Sequence, residues 1–329
     1  MVTIPEAFAL AQANHQAGYI AAAEDIYRKI LAVVPDHQPS LKRLETIDSQ
    51  VPLEGVCQNL AALFQLGQEA KAIASQQLVA SILAHPRYDD PLRLERFGQK
   101  CFSQSDEDGL IQEIFRRIGT TNKVFFEFGV RNDECNSILL LHQGWSGVWL
   151  EGSKTAHEAI SRSFASVIAA GRLSVLNSFV TRENINEIIR EAKLPAEIDM
   201  LSIDIDGNDY YIFEAISELS PRLVVIEYNA TLPPPTRGVV KYDKDFVWKG
   251  TSYFGASLAS LAALAERKGY SLVGCNITGV NAFFVRNDLV AGKFQAPFTA
   301  ENHYQPQRYN LVAGFLRGKT FEFREFEPL

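Results

Sequence analysis

Cysteine is scarce and scattered in this chain: Cys57, Cys101, Cys135 and Cys275 stand far apart, and none forms a C-x-x-C pair. That argues against a zinc knuckle and against a disulfide framework. Clustered basic residues are missing as well. The net charge is −7, and Arg116-Arg117 is the nearest thing to a basic patch. Neutralising phosphates needs grouped Lys and Arg, so nucleic acid is not an expected partner. No apolar run approaches the roughly 18 residues of a membrane span. Met1–Gln12 has no charged segment leading into an apolar core, so no signal peptide is expected. These absences predict a cytoplasmic protein with no membrane partner. Finally, no G-x-G-x-x-G follows the first predicted strand, which removes the pyrophosphate cradle that NAD and FAD sites use.

What is present divides the chain in two. Residues 5–35 read as a helical hairpin, with Ala7, Leu10, Ala11, Gly18, Ala23, Tyr27, Ile30, Leu31 and Pro35 at tetratricopeptide-repeat spacing, where small residues let antiparallel helices approach. A weaker second copy is expected over 60–86. Fewer than three such repeats rarely stand alone, so this segment is expected to pack on the next domain, on a protein partner or on a second copy of the chain. His85-Pro86-Arg87-Tyr88-Asp89-Asp90-Pro91 carries two prolines that stop any helix. The expected domains are therefore a helical region, 1–90, and a second domain, 91–329. Beyond the boundary, buried-strand runs alternate with amphipathic runs: strands near 123–129, 147–151, 173–176, 200–204 and 222–227, each followed by a helical pattern or a loop. This is βαβ spacing and predicts a parallel, doubly wound α/β sheet. A helix over 257–268 and two strands, 271–275 and 281–285, finish it as a hairpin. The tail from Gln295 has no readable period.

The strand ends carry the chemistry. They read Glu127-Phe128-Gly129-Val130-Arg131-Asn132-Asp133-Glu134, Glu151-Gly152, Asn177-Ser178, Asp204-Ile205-Asp206-Gly207-Asn208-Asp209 and Glu227-Tyr228-Asn229. Ligands of open α/β sheets sit at the carboxyl ends of the strands, so five polar ends in succession describe one acidic rim. Turn chemistry and helix capping account for part of it, and Asn208 and Asp209 in particular read as caps. An acidic residue ending the second strand is what such folds use to hold both ribose hydroxyls of an adenine nucleoside; here that is Glu151. Without a phosphate cradle, a nucleoside lacking phosphates fits best, and S-adenosylmethionine is also cationic enough for an acidic rim.

Five stretches, FSQSDEDG, VFFEFG, GWSGVWLEGS, LSIDIDGNDYYIFEAI and PRLVVIEYN, occur in an order and spacing that resembles the FkbM-type branch of the class I S-adenosylmethionine-dependent methyltransferases, over about residues 100–290. The resemblance implies a Rossmann-like methyltransferase sheet, mostly parallel with an antiparallel final strand, preceded by a small all-α helical-repeat region. It departs from the family at the glycine-rich turn, which is reduced here to Gly129. Carried over by position, it implies that Glu127 and Gly129 line the methionyl end, with Asn132, Asp133 and Asn136 nearby. Glu151 and the adjoining Gly152 would hold the ribose, Asn177 and Ser178 the adenine edge, and Asp204 the methionine ammonium. The family methylates hydroxyls on sugars and secondary metabolites, so a small-molecule or glycan acceptor is expected.

Methyl transfer to a hydroxyl needs alignment and a proton acceptor. Asp206 is the expected base and Glu227 the second candidate. Asp204, Asp206, Glu227 and Asn229 also form a set of hard oxygen donors that suits Mg²⁺ or another divalent cation; the rival account has Glu227 and Asn229 fixing the loop 230–251. Trp248 and Tyr253 in or beside that loop are expected either to stack on an acceptor or to anchor the loop. The competing function is a non-catalytic interaction scaffold with a degenerate methyltransferase fold.

Overall fold

In the computed structural model, residues 2–130, 134–311 and 326–327 are described, without the side chains of 48–58 and 310. The chain forms two compact units, residues 1–74 and 75–329.

In the first unit, α1 (Ile4–Gln16) and α2 (Ile20–Val33) form the expected hairpin. Glu6 accepts hydrogen bonds from the Thr3 N–H and hydroxyl at the helix start. The connection turns through Gly18 at φ +82°, a left-handed conformation that glycine adopts without a Cβ penalty. Ala11, Ala23 and Tyr27 are fully buried in a cluster with Leu44 and Ile47. The second hairpin expected over 60–86 is not formed. Residues 60–83 of that span belong to one helix, α3 (Gln38–Leu83). Between 60 and 83 the one helix-weakening residue is Gly67, and a lone glycine costs about 1 kcal/mol, too little to end a helix.

The second unit is built on seven strands: β1 (Val124–Phe128), β2 (Ser146–Glu151), β3 (Leu173–Asn177), β4 (Glu197–Ile203), β5 (Ser220–Glu227), β6 (Tyr270–Cys275) and β7 (Asn281–Arg286). Their order is β3-β2-β1-β4-β5-β7-β6. β1 to β5 pair in parallel, and β7 runs antiparallel between β5 and β6. This is the doubly wound, mostly parallel sheet that the strand spacing implied. The helices α4 (Glu107–Ile118), α5 (Ile138–His142), α6 (Lys154–Ser163), α7 (Ala165–Ala169), α8 (Ile185–Glu191), α9 (Asp209–Ala215) and α10 (Leu258–Arg267) connect the strands, and a short α11 (Ala300–His303) lies in the tail. Two hydrophobic clusters cover the two faces, one around Phe126, Leu201 and Ile212, the other around Phe125, Trp149 and Met200. Burial on both faces is why the central strands read as continuous apolar runs rather than alternating ones.

Strand order reverses between β1 and β4, which opens a crevice at their carboxyl ends. At the opposite end of the sheet, Asp199 of β4 is fully buried. It accepts hydrogen bonds from the N–H groups of Thr121, Asn122 and Lys123 and pairs with Arg222 at 3.1 Å. The carboxylates on β4 and its following turn therefore divide by position: Asp199 locks the bottom edge, and Asp204 and Asp206 face the crevice. Among the described residues, no helix is long and apolar enough to cross a membrane.

Candidate active site

A cavity of about 680 Å³ fills the crevice, within the range of small-molecule and cofactor sites. Its floor is the meeting of β1 and β4. Gly129 has φ +72°, and a Cβ there would overlap the carbonyl oxygen of Asp204. The single remaining glycine of this turn is thus required by the close approach of two strand ends.

The acidic turn after β4 organises itself. Asp209, at the start of α9, is 1% exposed; its carboxylate accepts from the N–H groups of Ile205 and Gly207, both at 2.8 Å. Burial pushes its pKa up to about 6 against those two bonds. Asn208 donates to the Asp243 carbonyl at 2.7 Å. Neither side chain caps α9, so the capping reading of this pair is corrected: Asp209 folds the turn and Asn208 pins the long loop. Gly207 leaves room for the Phe246 ring, which a Cβ would strike. Asp206, the apex of the turn, sits at φ +59°. A non-glycine residue held there costs about 1–2 kcal/mol, the kind of strain that clusters at functional sites.

Around this floor the structure gathers seven of the expected residues, Gly129, Glu151, Gly152, Ser178, Asp204, Asp206 and Glu227, in one cavity wall. Glu151 ends β2 in register with Asn177 of β3. Its carboxylate accepts from the Ser153 N–H at 2.7 Å, and Ser153 in turn caps α6. Gly152 lies against Phe179, half-exposed on the same wall. One carboxylate oxygen from each of Asp204, Asp206 and Glu227 lies within 4.8 Å of the others.

Other expected residues stand apart. Glu127 is buried behind the wall. It accepts from the N–H groups of Asn136 and Ser137, at 2.8 and 3.1 Å, and from the Ser137 hydroxyl, which also accepts from the Trp149 indole at 2.7 Å. Burial raises its pKa. Asn136 donates to the Ser202 hydroxyl at 3.0 Å. These groups brace the turn after β1 rather than face the cavity. Asn177 holds the Glu151 carbonyl at 2.8 Å from outside. Asn132 and Asp133 lie outside the described residues. Asn229 does not extend the carboxylate trio: its Oδ1 accepts from the Thr231 N–H and hydroxyl, and its amide donates to the Ser252 and Phe254 carbonyls, both at 2.9 Å. With both ends of the amide engaged, its fourth place in a metal set is corrected to that of a loop anchor.

Several wall residues escaped sequence reasoning. Val130, Phe179, Val180 and Ile205 follow strand ends directly, and a search for polar ends passed over them. Gln104 comes from the segment before α4, while Glu134 belongs to the polar end of the first strand. Gln104 is placed by the FSQSDEDG loop, where Asp108 accepts from the N–H groups of Cys101, Phe102 and Ser103 at 2.7–2.8 Å. Phe246 enters from the long loop and Tyr309 from the tail; Trp248, one of the two loop aromatics expected at the acceptor or as an anchor, also lines the wall. Tyr253, by contrast, accepts from the Lys241 N–H at 3.0 Å and anchors the loop from behind.

No family model and no curated protein matches the chain. Among solved structures, the N-terminal domain of EvdMO1 with SAH bound aligns at 13% identity and a TM-score of 0.38, over 63% of this chain and 94% of that one. The METTL16 MTase domain aligns at 11% and 0.39, over 66% and 80%. A human methyltransferase 10 domain containing protein aligns at 10% and 0.36, over 66% and 96%. Likenesses this distant carry nothing about activity, which has to come from the site.

Proposed function

We propose that the second unit is an S-adenosylmethionine-dependent methyltransferase of the FkbM type, acting on a hydroxyl of a sugar or other small molecule. One observation carries this reading. A single cavity at the switch point between β1 and β4 joins Glu151, at the end of β2, to a convergent set of Asp204, Asp206 and Glu227. The first suits a ribose diol, and the second suits cationic and proton-transfer chemistry. Phe179, beside Gly152, offers a flat apolar surface for adenine next to the ribose position. The cofactor supplies an electrophilic methyl group on a sulfonium. Asp204 would hold its ammonium end. Asp206 would take the proton of the acceptor hydroxyl, whose oxygen would receive the methyl group that the cofactor supplies when bound. Glu227 would orient the acceptor from the neighbouring strand end.

Calorimetric titration with S-adenosylmethionine and SAH tests the cofactor. Binding of both is expected, and no heat from either at millimolar concentration would refute the reading in favour of a non-catalytic scaffold. In Asp206→Asn, SAH affinity should stay within about twofold, while transfer falls by at least the roughly 10²-fold that a general base supplies; undiminished turnover would remove Asp206 as the base.

A metal-assisted variant is favoured by the 4.8 Å convergence of the three carboxylates, a hard-donor set suited to Mg²⁺. An ion held by Asp204, Asp206 and Glu227 would lower the pKa of the acceptor hydroxyl. Dialysis against EDTA should then abolish turnover and Mg²⁺ restore it; activity unaffected by the chelator rules the metal out. The same proposal takes the N-terminal hairpin as tetratricopeptide-like, serving a protein partner or self-association, and places the protein in the cytoplasm.

A further inference from the structure

The tail could not be placed from its sequence, yet it reaches the cavity. Tyr304 donates to the Ala230 carbonyl at 2.6 Å, and the Gln305 carbonyl accepts from Tyr228 at 2.6 Å. Pro306 runs so close over Gly279 that a Cβ there would lie 2.6 Å from its carbonyl oxygen. Arg308 then clamps the turn between β6 and β7, its N–H donating to Thr278 O at 2.8 Å and its guanidinium to Ile277 O at 2.6 Å. The next residue, Tyr309, is 4% exposed and lines the cavity with Val280 and Glu227. Its phenol lies within the electrostatic reach of Glu227, Asp204 and Asp206. A tail that only covered the sheet edge would have no need to deliver a polar aromatic to the carboxylate end of the cavity.

We propose that Tyr309 is an acceptor-side residue of the transferase site, its hydroxyl hydrogen-bonding the group that occupies the methyl-transfer position. This rests on the methyltransferase reading above. The ring lines the same cavity as Phe246 and Trp248, and the hydroxyl adds a donor, which ionised carboxylates lack, beside a further acceptor.

Sinefungin is the probe, because it carries an ammonium where the cofactor carries its transferable methyl. SAH lacks any group there. In Tyr309→Phe, calorimetry should show SAH affinity within about twofold of the unmodified protein and sinefungin affinity lower by about tenfold, the loss of one hydrogen bond to a charged group. A purely structural tyrosine would move both ligands together or neither. An unchanged sinefungin-to-SAH ratio overturns the assignment. Should that variant not fold, Arg308→Gln loosens the clamp without touching the cavity, and an unchanged ratio there overturns it equally. Failure of the unmodified protein to bind SAH at all would instead remove the methyltransferase reading, and this inference with it.

Discussion

Residue by residue, the acidic turn after β4 separates groups that look alike in sequence. Asp199 is a buried anchor paired with Arg222, Asp204 and Asp206 face the cavity, and Asp209 folds the turn. Asp209 makes a testable difference to stability. Its pKa is raised from 3.8 to about 6 by burial, so folding favours its protonated form. That contribution is fully present below about pH 4 and is lost as the pH rises through 6. The stability of the unmodified protein relative to Asp209→Asn should therefore fall by on the order of 2–3 kcal/mol between pH 4 and pH 7. Urea unfolding of both at the two pH values checks this; a constant difference would show that Asp209 does not titrate there.

At the scale of elements, the loop between β5 and α10 is held at many points. Asn229 binds it at Ser252 and Phe254, Asn208 at Asp243, and Phe246 packs into the space above Gly207. Tyr242 donates to Glu183 at 2.5 Å while the Arg182 guanidinium lies 4.0 Å over its ring, joining the loop to the turn before α8. At the loop's other end, Val239 bridges to Glu327 and Tyr253 packs on Phe326. Asn229→Asp separates the two accounts of this residue. A metal ligand would tolerate the change, whereas a loop anchor loses both donated hydrogen bonds and leaves two carbonyls unpaired, at about 1–3 kcal/mol each. Faster proteolysis within 230–256 and a lower melting temperature are expected. An unaltered cleavage pattern would return Asn229 to the list of ligands.

For the molecule as a whole, the boundary between the helical region and the second unit can be tested by truncation. Tyr88 is 3% exposed and donates to Gln305 at 3.2 Å, while Arg93 pairs with buried Glu95 and donates to Asn302. The segment just after α3 therefore packs on the tail that carries Tyr309. A chain of residues 75–329 should bind SAH as the full protein does. A chain beginning at 91 should be less stable, because it loses Tyr88. Equal stability of the two would place the working boundary at 90.

The doubly wound sheet was legible because strands buried on both faces leave continuous apolar runs, and because Asp, Glu and Asn at successive strand ends mark one rim. The sequence by itself determined the order of the strands, the carboxylates at the ends of β2, β4 and β5, and the lack of a G-x-G-x-x-G turn, all of which are local patterns. The continuity of α3 was missed because proline and glycine punctuation in that span is sparse, and a helical repeat pattern does not show where one helix ends. Only the tertiary structure decided that Glu127 braces rather than lines, that Asn229 anchors a loop, and that Tyr309 joins Glu227 across 82 residues of chain. These depend on which backbone groups a side chain meets once distant segments pack together, and no spacing along the chain encodes that.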